Sequence, residues 1–361
     1  MRILWLVLIG LFTFAWSPRT AEAAPQITDA TGTFIHGSAI TITGSAFGAG
    51  GKTPLTWDDF EDGTVGQNLA ASPKVGTWTP QSQPTSQYST TLHHSGNKAA
   101  YSSKSIENSS MYTSVIVPNN SGALQDTFYY ASWWGYWHAN CSTPGQIKLI
   151  QMWGTYQVGD YNPGFFHGGG SSTYIALEYS GISQQMWIGN APPDVWAQYQ
   201  LVLKQSDVNV ANGIIQIYLD GKLIYNKVNV VTREKAGESW QALKPHEGMT
   251  NQSGCTGNGV YALDDIYMNN SWARVVLGDA PTYATSTKFE IQPVNWQTPT
   301  WSSSSINVKF NQGNYANGQT AYIYVVDTAG AVNANGFPVT IGSGSGGDTT
   351  PPTVPLNLRI Q

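Results

Sequence analysis

The side chains that could do chemistry lie between residues 128 and 190. In Phe128–His138, alternation along an extended chain puts Trp134, Tyr136 and His138 on one face and Trp133 and Trp137 on the other. Gln151 shares a face with Trp153, with Lys148 on the same segment, and Tyr174 shares one with Glu178; Trp187 sits on a further short strand. Flat rings beside amides, hydroxyls and carboxylates suit a sugar chain, whose C–H faces rest on aromatic rings and whose hydroxyls need polar partners. The expected substrate-binding set is Trp134, Trp153, Tyr174, Glu178 and Trp187. Tyr136, His138 and His167 add groups that can exchange a proton, and Gln151 and Lys148 add an amide and an ammonium. The alternative for each of these aromatics is a packed core.

A different chemistry is offered by the acids. Asp59 and Glu61 lie in Asp58-Asp-Phe-Glu-Asp62, and Asp265 lies in Leu263-Asp-Asp-Ile266. Their oxygens could hold a structural Ca²⁺; solvated acidic turns are the alternative, and no cofactor is required. His93-His94 falls in a polar stretch and reads as surface. The motifs Gly-x-Ser-x-Gly, His-Glu-x-x-His and the phosphate-binding loop are missing, as is the Glu-x-Asp pair of retaining glucanases, which argues against a hydrolase.

The elements that must position these residues are strands. Of 361 residues only 11% are charged, where about a quarter is usual, while Gly 38 and Trp 14 are high. A net charge of -5 without a Lys/Arg cluster excludes a nucleic-acid partner. Short β-branched and aromatic runs recur, with no confident long helix. Ile214–Leu219, Asp220-Gly221 and Lys222–Tyr225 form the clearest hairpin, since Asp-Gly suits a type I′ turn.

Met1-Arg2, an apolar run to Trp16 and Ala21-Glu-Ala-Ala24 describe a secretory signal peptide over 1–23. The expected location is therefore secreted, extracellular or cell-surface, or periplasmic, with no membrane span. Export permits a bridge between Cys141 and Cys255, the two cysteines of the chain; free buried thiols are the alternative.

Two resemblances organise the chain. Gly37-Ser-Ala-Ile-Thr-Ile-Thr-Gly44 followed by Phe47-Gly48 resembles the opening strands of an IPT/TIG domain, an immunoglobulin-like β-sandwich; Trp301–Val308, Gly318–Val326 and Asn333–Ile341 are similar to its later strands. Between them, Asp59–Gly63, Tyr130–Trp134, Gly145–Trp153, Trp196–Lys204, the Asp220-Gly221 hairpin and Leu263–Tyr267 resemble the concanavalin A-like jelly roll of polysaccharide lyases, glucanases and lectins. The resemblance implies an all-β chain: a two-sheet jelly-roll sandwich over 55–283, inserted into a small immunoglobulin-like β-sandwich made of 25–54 and 285–342, with a Gly/Ser/Pro-rich tail over 343–361. It also implies a concave sheet that binds polysaccharide and, in the lyases, Tyr and His that move the proton beside a uronic carboxylate while Gln, Asn or Arg neutralises the developing enolate; here Tyr136, His138 or His167 would move the protons, and Gln151 or Lys148 would neutralise. Three functions fit: a secreted carbohydrate-binding protein, a polysaccharide lyase acting by β-elimination, or an extracellular structural or adhesion protein.

Overall fold

A computed structural model describes residues 23–343 apart from short internal segments (81–83, 108, 113–114, 118–126, 144–145, 155–161, 168–172, 180–181, 190, 238–239 and 251–252); for 116, 141–146, 153–190, 241, 247, 250 and 253–254 it describes at most the backbone. The expected signal peptide over 1–23 thus lies, but for its last residue, outside the described residues, as does the tail beyond residue 343. No helix among the described residues is long and apolar enough to cross a membrane.

The chain is all β, as its composition requires. Two large antiparallel sheets stack. One has six strands in the order Ile182–Gly189, Thr173–Tyr179, Asn162–His167, Gln146–Gly154, Trp240–Thr250, Met111–Tyr112. The other has eight: Lys222–Val230, Gly213–Leu219, Ala197–Lys204, Phe128–His138, Asn258–Asn269, Ala99–Ser105 and Gln87–Ser89, with Thr56–Asp58 pairing onto Asn258–Asn269. The core between them takes every second residue of Phe128–His138: Tyr129, Ala131, Trp133 and Trp137. They meet Ile147, Ile150, Met152, Leu243 and Met249 from the six-stranded sheet. The hairpin closes as the sequence predicts. Asp220 and Gly221 adopt φ of 48° and 71°, the left-handed pair a type I′ turn requires.

A second, smaller sandwich joins the two ends of the described chain. Gln26–Gly32, Ala39–Ser45, Ser305–Lys309 and Thr300–Trp301 form one four-stranded sheet; Phe289–Gln292, Arg274–Gly278, Thr320–Val326 and Phe337–Thr340 form the other. Ile40 pairs with Val308 and Ile42 with Ile306, and these aliphatics pack against Leu277, Ile323 and Val325 of the facing sheet.

The smaller sandwich sits on the outer face of the eight-stranded sheet. Tyr130, Val202 and Tyr267 from that face form one cluster with Val276, Phe289, Ile291 and Tyr324. One large sheet is therefore covered on both sides over this patch. Lys148 and Gln151, on the outer face of the six-stranded sheet, stay half-exposed.

Candidate functional site

The six-stranded sheet gathers most of the expected binding residues. A register irregularity between Lys148 and Ile150 turns both Leu149 and Ile150 into the core, so Lys148 and Gln151 both face outward. Backbone pairing then builds rows across the sheet. Gly248, Lys148, Phe166, Tyr174 and Trp187 stand opposite one another in turn. The next row is Lys244, Gln151, Gly164, Ala176 and Gln185, followed by Asn162, Glu178 and Ser183. Trp153 pairs with Ala242. The Oε1 of Gln151 is buried and has no hydrogen-bond partner among the described residues. His167 pairs with Ile147, a core position, and so belongs to the opposite register from Lys148.

Tyr136 and His138 lie elsewhere, which corrects the expected catalytic grouping. They belong to the outer face of the other sheet, so the thickness of the sandwich separates them from Gln151 and Lys148. There the Tyr136 hydroxyl donates to Asp194 Oδ1 at 3.0 Å, and His138 Nδ1 lies 2.7 Å from the same oxygen. Burial, then the hydrogen bond to Asp194, push the Tyr136 phenol up to about 12, the wrong direction for a base. Sequence reasoning missed Asp194, which lies well beyond the aromatic strand it serves.

Trp134 is a second correction. It is buried, not spread along an open groove. Its Nε1 donates to Glu290 Oε2 at 2.9 Å, and His94 stacks on it with ring centroids 3.6 Å apart. His94, expected at the surface, is buried with it, and its Nε2 lies 3.0 Å from Glu290 Oε1. Trp196 stands 6.0 Å from the His94 ring and 5.9 Å from Tyr136. His94, Trp134 and Trp196 line a cleft of about 590 Å³ at the seam of the two sandwiches, together with Lys288, Gln312 and Tyr315. Glu290 could not be found from sequence, because it belongs to the smaller sandwich.

The acids expected to share Ca²⁺ are each engaged. Asp59 contacts His36 at 3.0 Å and Lys74 at 2.5 Å. Burial opposes its charge, but the His36 hydrogen bond and the Lys74 ammonium hold it down at about 2. Glu61 Oε1 accepts the backbone N–H groups of Asn97 and Lys98 at 2.9 and 2.8 Å. Asp265 accepts from the Ser95 hydroxyl at 3.0 Å and joins His94 and Glu290, one donor atom from each lying within 4.8 Å of the others. Oxygen donors with one imidazole are ligand types that a divalent cation takes. Burial, then the nearby Glu290 charge, push Asp265 up to about 7; burial does the same to Asp58. Asp264 is also raised, by burial and by Asp265, although it accepts backbone N–H groups from His94, Ser95 and Asp265.

The cysteines meet in a two-stranded ladder. Cys141 stands directly opposite Cys255 in the pairing of Cys141–Thr143 with Ser253–Cys255.

No protein-family profile matches the chain, and no curated protein matches it. Solved structures do. An endo-β-1,4-glucuronan lyase from the fungus Trichoderma reesei is 11% identical over 58% of this chain and 97% of its own, with a TM-score of 0.43. The alginate lyase Aly36B is 9% identical over 60% of this chain and 98% of its own, with a TM-score of 0.47. The cellulose-induced protein Cip1 is 15% identical over 60% and 97%, with a TM-score of 0.40.

Proposed function

We propose that the protein binds polysaccharide along the outer face of its six-stranded sheet. The observation that carries this reading is the register. It sets Tyr174 and Trp187 in one row with Lys148, and Gln151 with Lys244 and Gln185 in the next. Aromatic positions at sheet spacing suit successive sugar faces, and the amides between them suit hydroxyls. Lys148, half-exposed, and the Gln151 oxygen left without a partner among the described residues favour a chain that carries both carboxylates and donors, a polyuronate, over a neutral glucan. Secretion, as expected from the N-terminal residues, would bring the protein to such a polymer.

Affinity electrophoresis tests this. Gels containing alginate or polygalacturonate are expected to retard the protein more than gels containing a neutral β-glucan. Gln151→Ala and Lys148→Ala should each weaken retention about five- to tenfold, the loss of one hydrogen bond to a charged or polar partner. Equal mobility in every gel would overturn the proposal and leave the adhesion reading.

A lyase is the second reading, favoured by the Lys148–Tyr174 row. Lys148 and Gln151 would neutralise the uronate carboxylate, and Tyr174, on the same face, would move the proton that His138 and Tyr136 are too distant to reach. Incubation with the same polyuronates reports directly, since β-elimination leaves an unsaturated sugar that absorbs in the ultraviolet. Retention without absorbance leaves binding alone.

A further inference from the structure

Where the smaller sandwich meets the eight-stranded sheet there is a second, more enclosed cavity of about 330 Å³, away from the His94 cleft. Its walls are aromatic: Tyr130 and Tyr218 from the large sheet, and Trp272, Tyr283 and Phe289 from the chain entering the smaller sandwich. Arg274 reaches into this wall. Its guanidinium carbon lies 4.5 Å from the centre of the Tyr130 ring and 4.7 Å from that of Trp272. Nη1 donates to the Trp272 carbonyl at 3.0 Å, and Nη2 donates to the Tyr283 hydroxyl at 3.3 Å.

Arg274 is buried, yet no carboxylate among the described residues lies within ion-pair distance of it. Its Nε–H has no acceptor among the described residues. The Tyr130 hydroxyl is buried near Ser132 and makes no hydrogen bond of good geometry among the described residues. Arginine does not lose its proton, so burial cannot relieve this charge by neutralising it. Ring faces recover only part of what a buried, uncompensated cation loses on leaving water. Elsewhere at the same seam the acids are abundant; among the described residues that line this cavity there is none. The polar groups left over are one guanidinium edge and one phenol, and both are donors.

We propose that this cavity binds a small ring-bearing carboxylate, with the carboxylate on the Arg274 Nε edge and the Tyr130 hydroxyl, and the ring against Tyr218, Trp272 and Phe289. A carboxylate accepts two donors side by side, which a guanidinium edge offers in a fixed fork. The aromatic walls suit a flat or C–H-rich ring, and the volume suits a single one. Ala284 is exposed at the margin of the cavity and gives a ligand its way in. The site is distinct from the six-stranded face, and it does not rest on the polysaccharide reading.

Calorimetric titration and melting curves test the proposal on the whole chain. The probes are D-glucuronate and benzoate, with glucose and benzyl alcohol as their neutral counterparts. At least one of the two carboxylates is expected to bind and raise the melting midpoint, while its neutral counterpart does not; which one does so tells a sugar from an aromatic acid. Arg274→Met should abolish the shift without lowering the melting point of the free protein, because it removes an unpaired buried charge. Tyr130→Phe, which keeps the ring, should weaken binding about five- to tenfold and serves should Arg274→Met fail to fold. Binding of neither carboxylate, or an unchanged affinity in Tyr130→Phe and Arg274→Met, overturns the proposal.

Discussion

Gly135 lies in the middle of an aromatic strand, where a glycine is poorly suited. The His246 ring occupies the space a Cβ there would need. His246 is itself fully buried; it accepts from Trp133 Nε1 at 3.2 Å and meets Tyr199 and Tyr261 edge-on. Burial pulls its pKa down to about 3, so it stays neutral in the core. It serves packing, and a lone histidine in the sequence carried no sign of that. Gly135→Ala should destabilise the fold by about 1–3 kcal/mol, since the ring has no room to retreat; chemical denaturation measures it. An unchanged midpoint would mean that the ring moves freely. Single residues also misled. Trp134 and His94 read as groove and surface because nothing near them in sequence announces Glu290.

At the scale of elements, local rules worked where the partner strand is close. The Asp220-Gly221 hairpin needs only its own turn. The break between Lys148 and Ile150 is different. Alternation alone would put Lys148 and Gln151 on opposite faces, and the irregularity against Trp240–Thr250 brings them together. That irregularity includes His246, held at φ of 47°, a conformation with no local signature in the sequence. The ladder of Cys141–Thr143 with Ser253–Cys255 carries its own prediction. Residues directly opposite in an antiparallel pair have Cα atoms about 4.5–5.5 Å apart, within the span of a bridge. The protein, produced in an oxidising compartment and then denatured and alkylated without reductant, should therefore gain no alkyl mass at Cys141 or Cys255. Cys255→Ser should cost about 2–5 kcal/mol, as expected for a loop of this length. Alkylation of both thiols would show them free.

At the scale of the whole molecule, the seam between the sandwiches buries several acids. Asp58, Asp265 and Asp264 are buried there and favour their protonated forms. An acid whose folded-state pKa is raised contributes nothing to pH dependence below its unfolded value near 4, and a growing penalty as pH rises toward the folded value. For Asp58 and Asp265 the window is therefore about pH 4 to 7. Asp59 runs the other way: its pairing with His36 and Lys74 is fully present above about pH 4 and is lost as pH falls toward 2. The melting midpoint should be higher at pH 5 than at pH 8, and Asp265→Asn should flatten that slope. A midpoint that rises between pH 5 and 8, measured with a chelator present, would contradict it.

Composition and alternation were enough to determine an all-β chain and its clearest hairpin, because strand period and turn chemistry are local properties. That Tyr174 and Glu178 take one register of a single strand, Thr173–Tyr179, was legible for the same reason. Which sheet each aromatic face would meet was not. Phe128–His138 offers two faces of similar chemistry, and alternation cannot say which will be covered. That was decided when the smaller sandwich packed onto Tyr130, Val202 and Tyr267 and brought Glu290 to Trp134. The catalytic grouping of His138 with Gln151 failed there, because strands far apart in sequence choose their neighbours by total burial, a property that no short stretch of chain contains.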